Sequence, residues 1–130
     1  MKVLSIIEPF ASLIKNKRKF IETRSWKTSY RGELYIHASS KKIPKEWKNN
    51  HHYMIINETN YGNIICKCKL VDCIYIDQEF IGNIKENNYQ EYLLGIYEIG
   101  RYAWILEDIE TIDKMEAKGH LGIWNYQDKD

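Results

Sequence analysis

The apolar residues of this chain fall into short runs, which predict several short strands with few helices. One clear case is residues 33–38, where Leu34 and Ile36 share one face while Tyr35 and His37 share the other. Alternation of this kind is typical of a half-buried strand. The predicted strands are residues 1–7, 20–25, 33–38, 62–77, 101–106, 109–112 and 122–124.

Three segments have helical patterns. Pro9 suits the first position of a helix. The apolar residues that follow it, Phe10, Leu13 and Ile14, are spaced to share one face. The other helix candidates are residues 43–47 and 87–96. Short strands with few helices predict an α+β fold around a small, strongly bent sheet or barrel, and a chain of 130 residues is expected to form one domain, residues 1–130.

Composition narrows the class of protein. Hydrophobic residues make up 44% of the chain and charged residues 28%, which is ordinary for a globular protein and argues against wholesale disorder. The apolar runs are shorter than the roughly 18 residues of a membrane-spanning helix, and the first run is too short for a signal peptide. Three cysteines, an odd number, argue against a disulfide scaffold. We therefore expect a reduced, cytoplasmic protein that has no membrane partner.

The net charge of +1 conceals an uneven distribution. Residues 1–71 carry 14 Lys and Arg against 5 Asp and Glu, whereas residues 72–130 carry 5 against 13. The densest basic stretch is residues 15–31, with seven basic residues and one acid, Glu22. Such asymmetry indicates a basic face that could bind a polyanion, unless the acidic half neutralises the basic half in space.

Two neighbouring segments contain most of the residues that can carry chemistry. Residues 19–26 read KFIETRSW, and residues 30–39 read YRGELYIHAS. Together they resemble the ASCH family, a branch of the PUA-like fold, whose signature is Gly-x-Lys-x-x-Glu-x-Arg after the first helix. Lys19, Glu22 and Arg24 match three of the four defining positions. The resemblance continues in residues 70–73, 100–106 and 117–124.

The resemblance implies a PUA-like α+β fold, a small β-barrel with flanking helices. It also implies that a polar, basic cleft beside the barrel binds RNA, a single nucleotide or a modified nucleoside. We expect no cofactor, and the resemblance names no protein partner. The nucleic-acid-binding residues expected here are Lys19, Glu22, Arg24, Trp26, Tyr30, Arg31, His37, Ser39, Arg101 and Tyr102.

The residue types in these segments suit nucleotide recognition. On a strand, Glu22 and Arg24 point to the same face, roughly 7 Å apart, and Lys19 is expected to lean over that face. Arginine offers a planar donor fork for phosphate or guanine, and a carboxylate accepts from exocyclic amines such as that of cytosine. Trp26 and Tyr30 can stack on a base, an interaction worth about 1–3 kcal/mol. The plainer alternative is a surface Glu–Arg ion pair worth under about 1 kcal/mol.

A second interpretation is a hydrolase. Some ASCH relatives are enzymes, including an amidohydrolase that acts on acetylated cytidine and a ribonuclease. The amidohydrolases pair the motif lysine with a threonine where this chain has Glu22, and Glu91 and Glu98 are candidates for their catalytic glutamate. If the chain is an enzyme, the expected catalytic residues are Glu22 as a general base and Lys19 as a charge stabiliser or as a base itself.

The family's glycine position affects the turn after the first helix. Glycine leaves a helix with a positive φ at low cost. Lys17 stands at this position and adopts a positive φ less easily, so we expect Asn16 to take that conformation instead. A shifted helix end would move the motif lysine.

Other polar and sulfur-containing residues are better interpreted as structure. His51 and His52 lie in a polar stretch that predicts an exposed loop. Cys66 and Cys68 share one face of a predicted strand, which is typical of small buried residues rather than of a zinc site, and we expect no metal.

A third interpretation is a protein-interaction adaptor in transcription or translation, with the acidic residues around 108–110 as its working surface.

Overall fold

A computed structural model describes residues 1–50 and 56–127, so His51 and His52 lie outside the described residues. The strands are β1 (Lys2–Ile6), β2 (Ile21–Arg24), β3 (Gly32–Ala38), β4 (Asn63–Tyr75), β5 (Tyr102–Glu116) and β6 (Ile123–Asn125). The helices are α1 (Phe10–Lys15), α2 (Lys45–Asn50), α3 (Gln78–Asn87) and α4 (Tyr89–Leu93).

The strands form one mixed sheet in the order β2-β5-β4-β3-β1-β6. β1 and β3 are parallel, and the other neighbouring pairs are antiparallel. The sheet curls into a half-barrel with flanking helices, which confirms the predicted PUA-like α+β fold. β2 and β6 are the end strands, so the barrel is open between them.

The core fills the concave face of this sheet. Alternate residues of β1 and β3 are fully buried there, which is the pattern that their sequence predicts. The largest buried side chain is Trp104, which β5 contributes to the central cluster. The other strand residues of that cluster include Leu4, Ile6, Leu34, Ile36, Ile65, Leu70 and Leu106.

Two elements differ from the sequence prediction. The two predicted strands over residues 101–112 are a single strand, β5, which continues through Asp108 with a φ of 53°. Lys69 pairs with Glu107 and Lys67 pairs with Glu110, so β5 accommodates an extra residue as a bulge instead of ending. The second difference is α3, which the sequence analysis did not predict.

The uneven charge of the chain is partly neutralised where β4 meets β5. Lys67 Nζ lies 3.8 Å from Oε2 of Glu110, and Lys69 Nζ lies 3.4 Å from Oδ2 of Asp108. The basic residues of β4 therefore face the acidic residues that were the basis of the adaptor interpretation. Within residues 1–50 and 56–127, no helix is long and apolar enough to cross a membrane.

Candidate functional site

A cavity of about 330 Å³ lies at the opening of the half-barrel. β6 pairs with β1 at Lys2, Val3 and Leu4, and the next part of β1 borders this cavity. The lining residues are Ser5, Ile7 and Phe10 on the β1 side, Lys19, Glu22, Thr23, Arg24, Ser25 and Trp26 on the β2 side, and Leu94, Gly95, Ile96 and Arg101 before and at the start of β5. We call it the first cavity.

Half of the residues predicted from the sequence line the first cavity. These are Lys19, Glu22, Arg24, Trp26 and Arg101. Spacing along β2 groups Glu22 with Arg24, because strand residues two apart point to one face, and Lys19 lies just before this strand.

Lys19 is fully buried and forms part of the cavity wall. Its Nζ donates hydrogen bonds to the carbonyl oxygens of Ile21 (2.5 Å) and Leu94 (2.6 Å), and it lies 4.0 Å from Oε1 of Glu22. Burial lowers the pKa of Lys19, and the carboxylates of Glu22 and Glu91 oppose that shift. Lys19 therefore lies beside Glu22, and it also ties β2 to segment 94–96 on the opposite wall.

The turn after α1 directs the chain toward the cavity. Lys17 has a φ of 61° and Asn16 a φ of −82°, so Lys17 takes the left-handed conformation and the expectation for Asn16 is wrong. The N–H of Lys17 donates to the carbonyl of Ile14, and that of Arg18 donates to the carbonyl of Leu13, both at 2.9 Å. This pair of bonds is the Schellman cap, which normally places glycine at the left-handed position.

Glu22 and Arg24 form a half-buried ion pair at the cavity wall. Nη1 of Arg24 donates to Oε2 of Glu22 at 3.0 Å, and the side chains are 23% and 9% exposed, respectively. Lys19 lies near the other carboxylate oxygen, so the carboxylate is held from two sides. The pair therefore presents a hydrogen-bond acceptor and a donor next to each other in a fixed orientation.

Glu91, on α4, adds a second buried carboxylate near Lys19. Its Oε1 accepts a hydrogen bond from the backbone N–H of Phe20 at 2.6 Å, and among the described residues Oε2 has no hydrogen-bond partner. Burial raises the pKa of Glu91, and Lys19 opposes this. The other candidate, Glu98, is exposed. Because Glu91 is 71 residues from Phe20, no local pattern could reveal this contact.

Thr23 and Arg101 hold the wall segment 94–96 against β2. The N–H of Ile96 donates to Oγ1 of Thr23 at 3.1 Å. Arg101 donates from Nε to the carbonyl of Ile96 (3.2 Å) and from Nη2 to the carbonyl of Thr23 (3.0 Å). The guanidinium that the sequence predicts as a nucleic-acid contact thus also fixes the shape of the wall.

Trp26 provides an aromatic surface at the first cavity. The residue is 36% exposed, and its ring packs edge-on against Trp104 with 4.7 Å between the centroids. The guanidinium carbon of Arg24 lies 5.9 Å from the ring centroid. Because Trp104 supports the indole, a planar ligand can stack on it with little loss of side-chain freedom.

His37 is buried beside the first cavity and does not line it. Its Nε2 donates to the carbonyl of Ala117 at 2.7 Å, and its Nδ1 lies 2.9 Å from Oγ of Ser5. Burial lowers the pKa of His37, which favours the neutral ring, so Nδ1 accepts a hydrogen bond from the Ser5 hydroxyl. Nε1 of Trp124 donates to the same Oγ at 3.0 Å. His37 thus orients Ser5, a lining residue that the sequence analysis missed.

Tyr30 and Arg31 also lie outside the cavity lining. The hydroxyl of Tyr30 donates to the carbonyl of Glu33 at 2.6 Å. Nη1 of Arg31 donates to the carbonyl of Thr28 at 3.1 Å, and Nη2 lies 3.6 Å from the carboxylate of Asp72. Both side chains brace the loop between β2 and β3.

Ser39 and Tyr102 are likewise not brought to this cavity. Oγ of Ser39 accepts a hydrogen bond from the N–H of Lys41 at 3.2 Å. The ring of Tyr102 packs edge-on against Tyr75, with 5.7 Å between centroids, and contacts the central core cluster.

Cys66 and Cys68 are buried in the central cluster of the core. Burial raises the pKa of both thiols, to about 12 for Cys68. In the part of the chain that the structure describes, no three His, Cys, Asp or Glu side chains are grouped to hold a metal ion.

Comparison with known proteins identifies a family. No curated protein matches the chain significantly. A family model described as the ASCH domain matches residues 4–116, a range that includes every residue lining the first cavity. ASCH domains are PUA-like and are generally thought to bind RNA. Because the match spans most of the chain, this protein belongs to the ASCH domain family.

Proposed function

We propose that the first cavity binds one base of a single-stranded RNA, or a free nucleotide or modified nucleoside. The observation that carries this proposal is the Glu22–Arg24 pair, held in one orientation at the wall beside the exposed ring of Trp26. An acceptor, a donor and an aromatic surface thus border one space of about 330 Å³. The general association of ASCH domains with RNA supports the same conclusion.

A carboxylate beside a guanidinium suits a base edge that combines donors with acceptors. An exocyclic amine or ring N–H of the base would donate to Glu22, while a carbonyl oxygen or ring nitrogen would accept from Arg24. Duplex pairing occupies these edges, so the ligand would be an unpaired base. Trp26 would stack on that base, which adds affinity without requiring a particular sequence.

Lys19 would act as a supporting residue for binding. Its Nζ already donates to two backbone carbonyls, so its main contribution is the positive charge that it places beside Glu22 and Glu91. That charge offsets the two carboxylates and keeps the recognition pair in place. Exposed lysines of the basic stretch, such as Lys17 and Lys27, would meet the phosphates, so affinity should fall as the salt concentration rises.

A hydrolase that acts on a modified nucleoside or on RNA is the second candidate. Burial lowers the pKa of Lys19 and raises that of Glu91, and shifted groups beside a cavity are frequent at catalytic sites. Glu22 would be the general base. A threonine nucleophile has less support, because Oγ1 of Thr23 accepts a hydrogen bond from Ile96.

Replacing Glu22 by Gln tests the binding proposal. The change keeps the side-chain shape and removes a charged acceptor, so the affinity for a short fluorescently labelled single-stranded RNA should fall about ten- to a hundredfold. Fluorescence anisotropy measures this affinity at low and high salt. Lys69→Gln, which removes an exposed lysine paired with Asp108 on the β4–β5 ladder, is the control and should retain nearly full affinity.

Two results would contradict the proposal: absence of binding by the unaltered protein at low salt, or equal affinities for the Glu22→Gln and unaltered proteins. Arg24→Ala gives a second readout in case Glu22→Gln impairs folding, which circular dichroism detects. Turnover of modified nucleosides or RNA separates the candidates. Turnover that Glu22→Gln abolishes while binding persists would identify the hydrolase.

A further inference from the structure

We propose that a second cavity, beside β6, binds the nucleotide next to the one held in the first cavity. This inference rests on the proposed function and extends it. It makes the preferred ligand a strand of at least two nucleotides rather than a free nucleoside.

The second cavity has a volume of about 520 Å³, and the described residues that line it all lie between positions 116 and 127. His120 is exposed, and its ring packs against Trp124 with 5.0 Å between centroids and an angle of 68°. The exposed ammonium of Lys118 and the half-buried ring of Tyr126 belong to the same lining. An exposed ring on a supporting ring, with a cation beside it, is a combination that suits a stacked base and its phosphate.

Polar groups in this lining can form hydrogen bonds with the edge of a base. The side-chain amides of Asn125 and Gln127 carry both donors and acceptors, and Glu116 adds an acceptor. Among the described residues of the lining, the Lys118 ammonium is balanced by the Glu116 carboxylate. The affinity of the cavity for a nucleotide would therefore depend on stacking more than on charge.

A direct hydrogen bond links the two cavities. Nε1 of Trp124, which lines the second cavity, donates to Oγ of Ser5, which lines the first, at 3.0 Å. Gly119 packs so closely here that a Cβ would come within 2.9 Å of that Oγ. A lining residue of one cavity is thus in direct contact with a lining residue of the other, which suits neighbouring nucleotides of a single strand better than two independent ligands.

Binding of defined short ligands tests this inference. The probes are the four ribonucleoside 5′-monophosphates and the sixteen dinucleoside monophosphates, measured by isothermal titration calorimetry. For the best dinucleotide we expect affinity at least about tenfold higher than for its better-bound mononucleotide, the gain typical of one stacked base. His120→Ala should remove most of this gain, whereas His120→Phe, which keeps a ring, should retain it.

The mononucleotide affinities distinguish the two cavities. His120→Ala should leave them unchanged, whereas Glu22→Gln should weaken mononucleotides and dinucleotides alike. Two results would overturn the second cavity as a binding site while mononucleotide binding still depends on Glu22. Either a second nucleotide adds no affinity, or the added affinity persists in His120→Ala. Both results leave the proposed function intact. Failure of every probe to bind would overturn both.

Discussion

At Lys17 a lysine holds the backbone conformation that the family assigns to glycine. The Schellman cap forms nonetheless, with both of its hydrogen bonds at 2.9 Å. A left-handed conformation costs an L-residue about 1–2 kcal/mol. The turn that contains Lys17 also places Lys19 at the cavity wall.

Replacing Lys17 by Gly should stabilise the protein. Glycine removes the backbone strain but is more flexible in the unfolded chain, so the expected gain is about 0.5–1 kcal/mol in the free energy of unfolding. Urea denaturation measures it. Asn16→Gly is the matched control, because Asn16 has an ordinary φ of −82° and should gain nothing. Equal effects of the two changes would show that the turn is not strained.

Residue spacing predicted Glu22 and Arg24 correctly as a pair on one face of a strand, because neighbours along β2 obey a period of two. It could not predict what Lys19 and Arg101 bind, since both donate to backbone carbonyls that only the folded chain brings near. Ser5 could not be predicted as a site residue for a similar reason. Its role follows from contacts with His37 and Trp124, which are 32 and 119 residues away.

At the scale of elements, the first cavity depends on how α4 and segment 94–96 dock against β2. Glu91 binds the backbone at Phe20, and Thr23 binds the backbone at Ile96, so contacts run in both directions across this junction. Gly95 lies at its tightest point, because any side chain there would meet the ring of Tyr97.

Gly95→Ala should therefore both destabilise the protein and weaken RNA binding. A Cβ at this position would lie 2.8 Å from Cε2 of Tyr97, and the displacement should cost about 1–3 kcal/mol and shift the cavity wall. Gly82→Ala in α3 is the matched control, since a Cβ there meets no atom within 4 Å and alanine should stabilise the helix by about 0.5–1 kcal/mol. Thermal unfolding and RNA anisotropy report the two effects, and unchanged RNA affinity in Gly95→Ala would argue against this wall as part of the site.

Most elements could be predicted from local patterns, and the exceptions have physical causes. α3 has an N-cap, where the Asp77 side chain accepts from the N–H of Phe80, and its apolar residues pack beneath Tyr97. These signals lie directly after the long apolar run of β4. Because that run is continuous with residues 76 and 77, the sequence pattern predicts a strand as far as residue 77 and does not indicate where the helix begins. β5 was divided in the prediction because a bulge at Asp108 interrupts its alternation.

At the scale of the whole molecule, the open edge of the half-barrel matters more than net charge. The charge asymmetry of the sequence is partly cancelled by pairs such as Lys67 with Glu110, so it does not by itself define a binding face. The opening between the end strands, by contrast, gathers the motif residues around a cavity. The order of strands that creates this opening depends on long-range pairing, which the motif alone could not show.

Nuclear magnetic resonance titration with the four ribonucleoside 5′-monophosphates tests the central claim most directly. If the first cavity holds a nucleobase, the backbone amide signals of residues 22–26 and 94–96 should shift together and saturate, and Glu22→Gln should weaken that response. Saturable shifts confined to other surfaces, or none with any of the four nucleotides, would contradict the account.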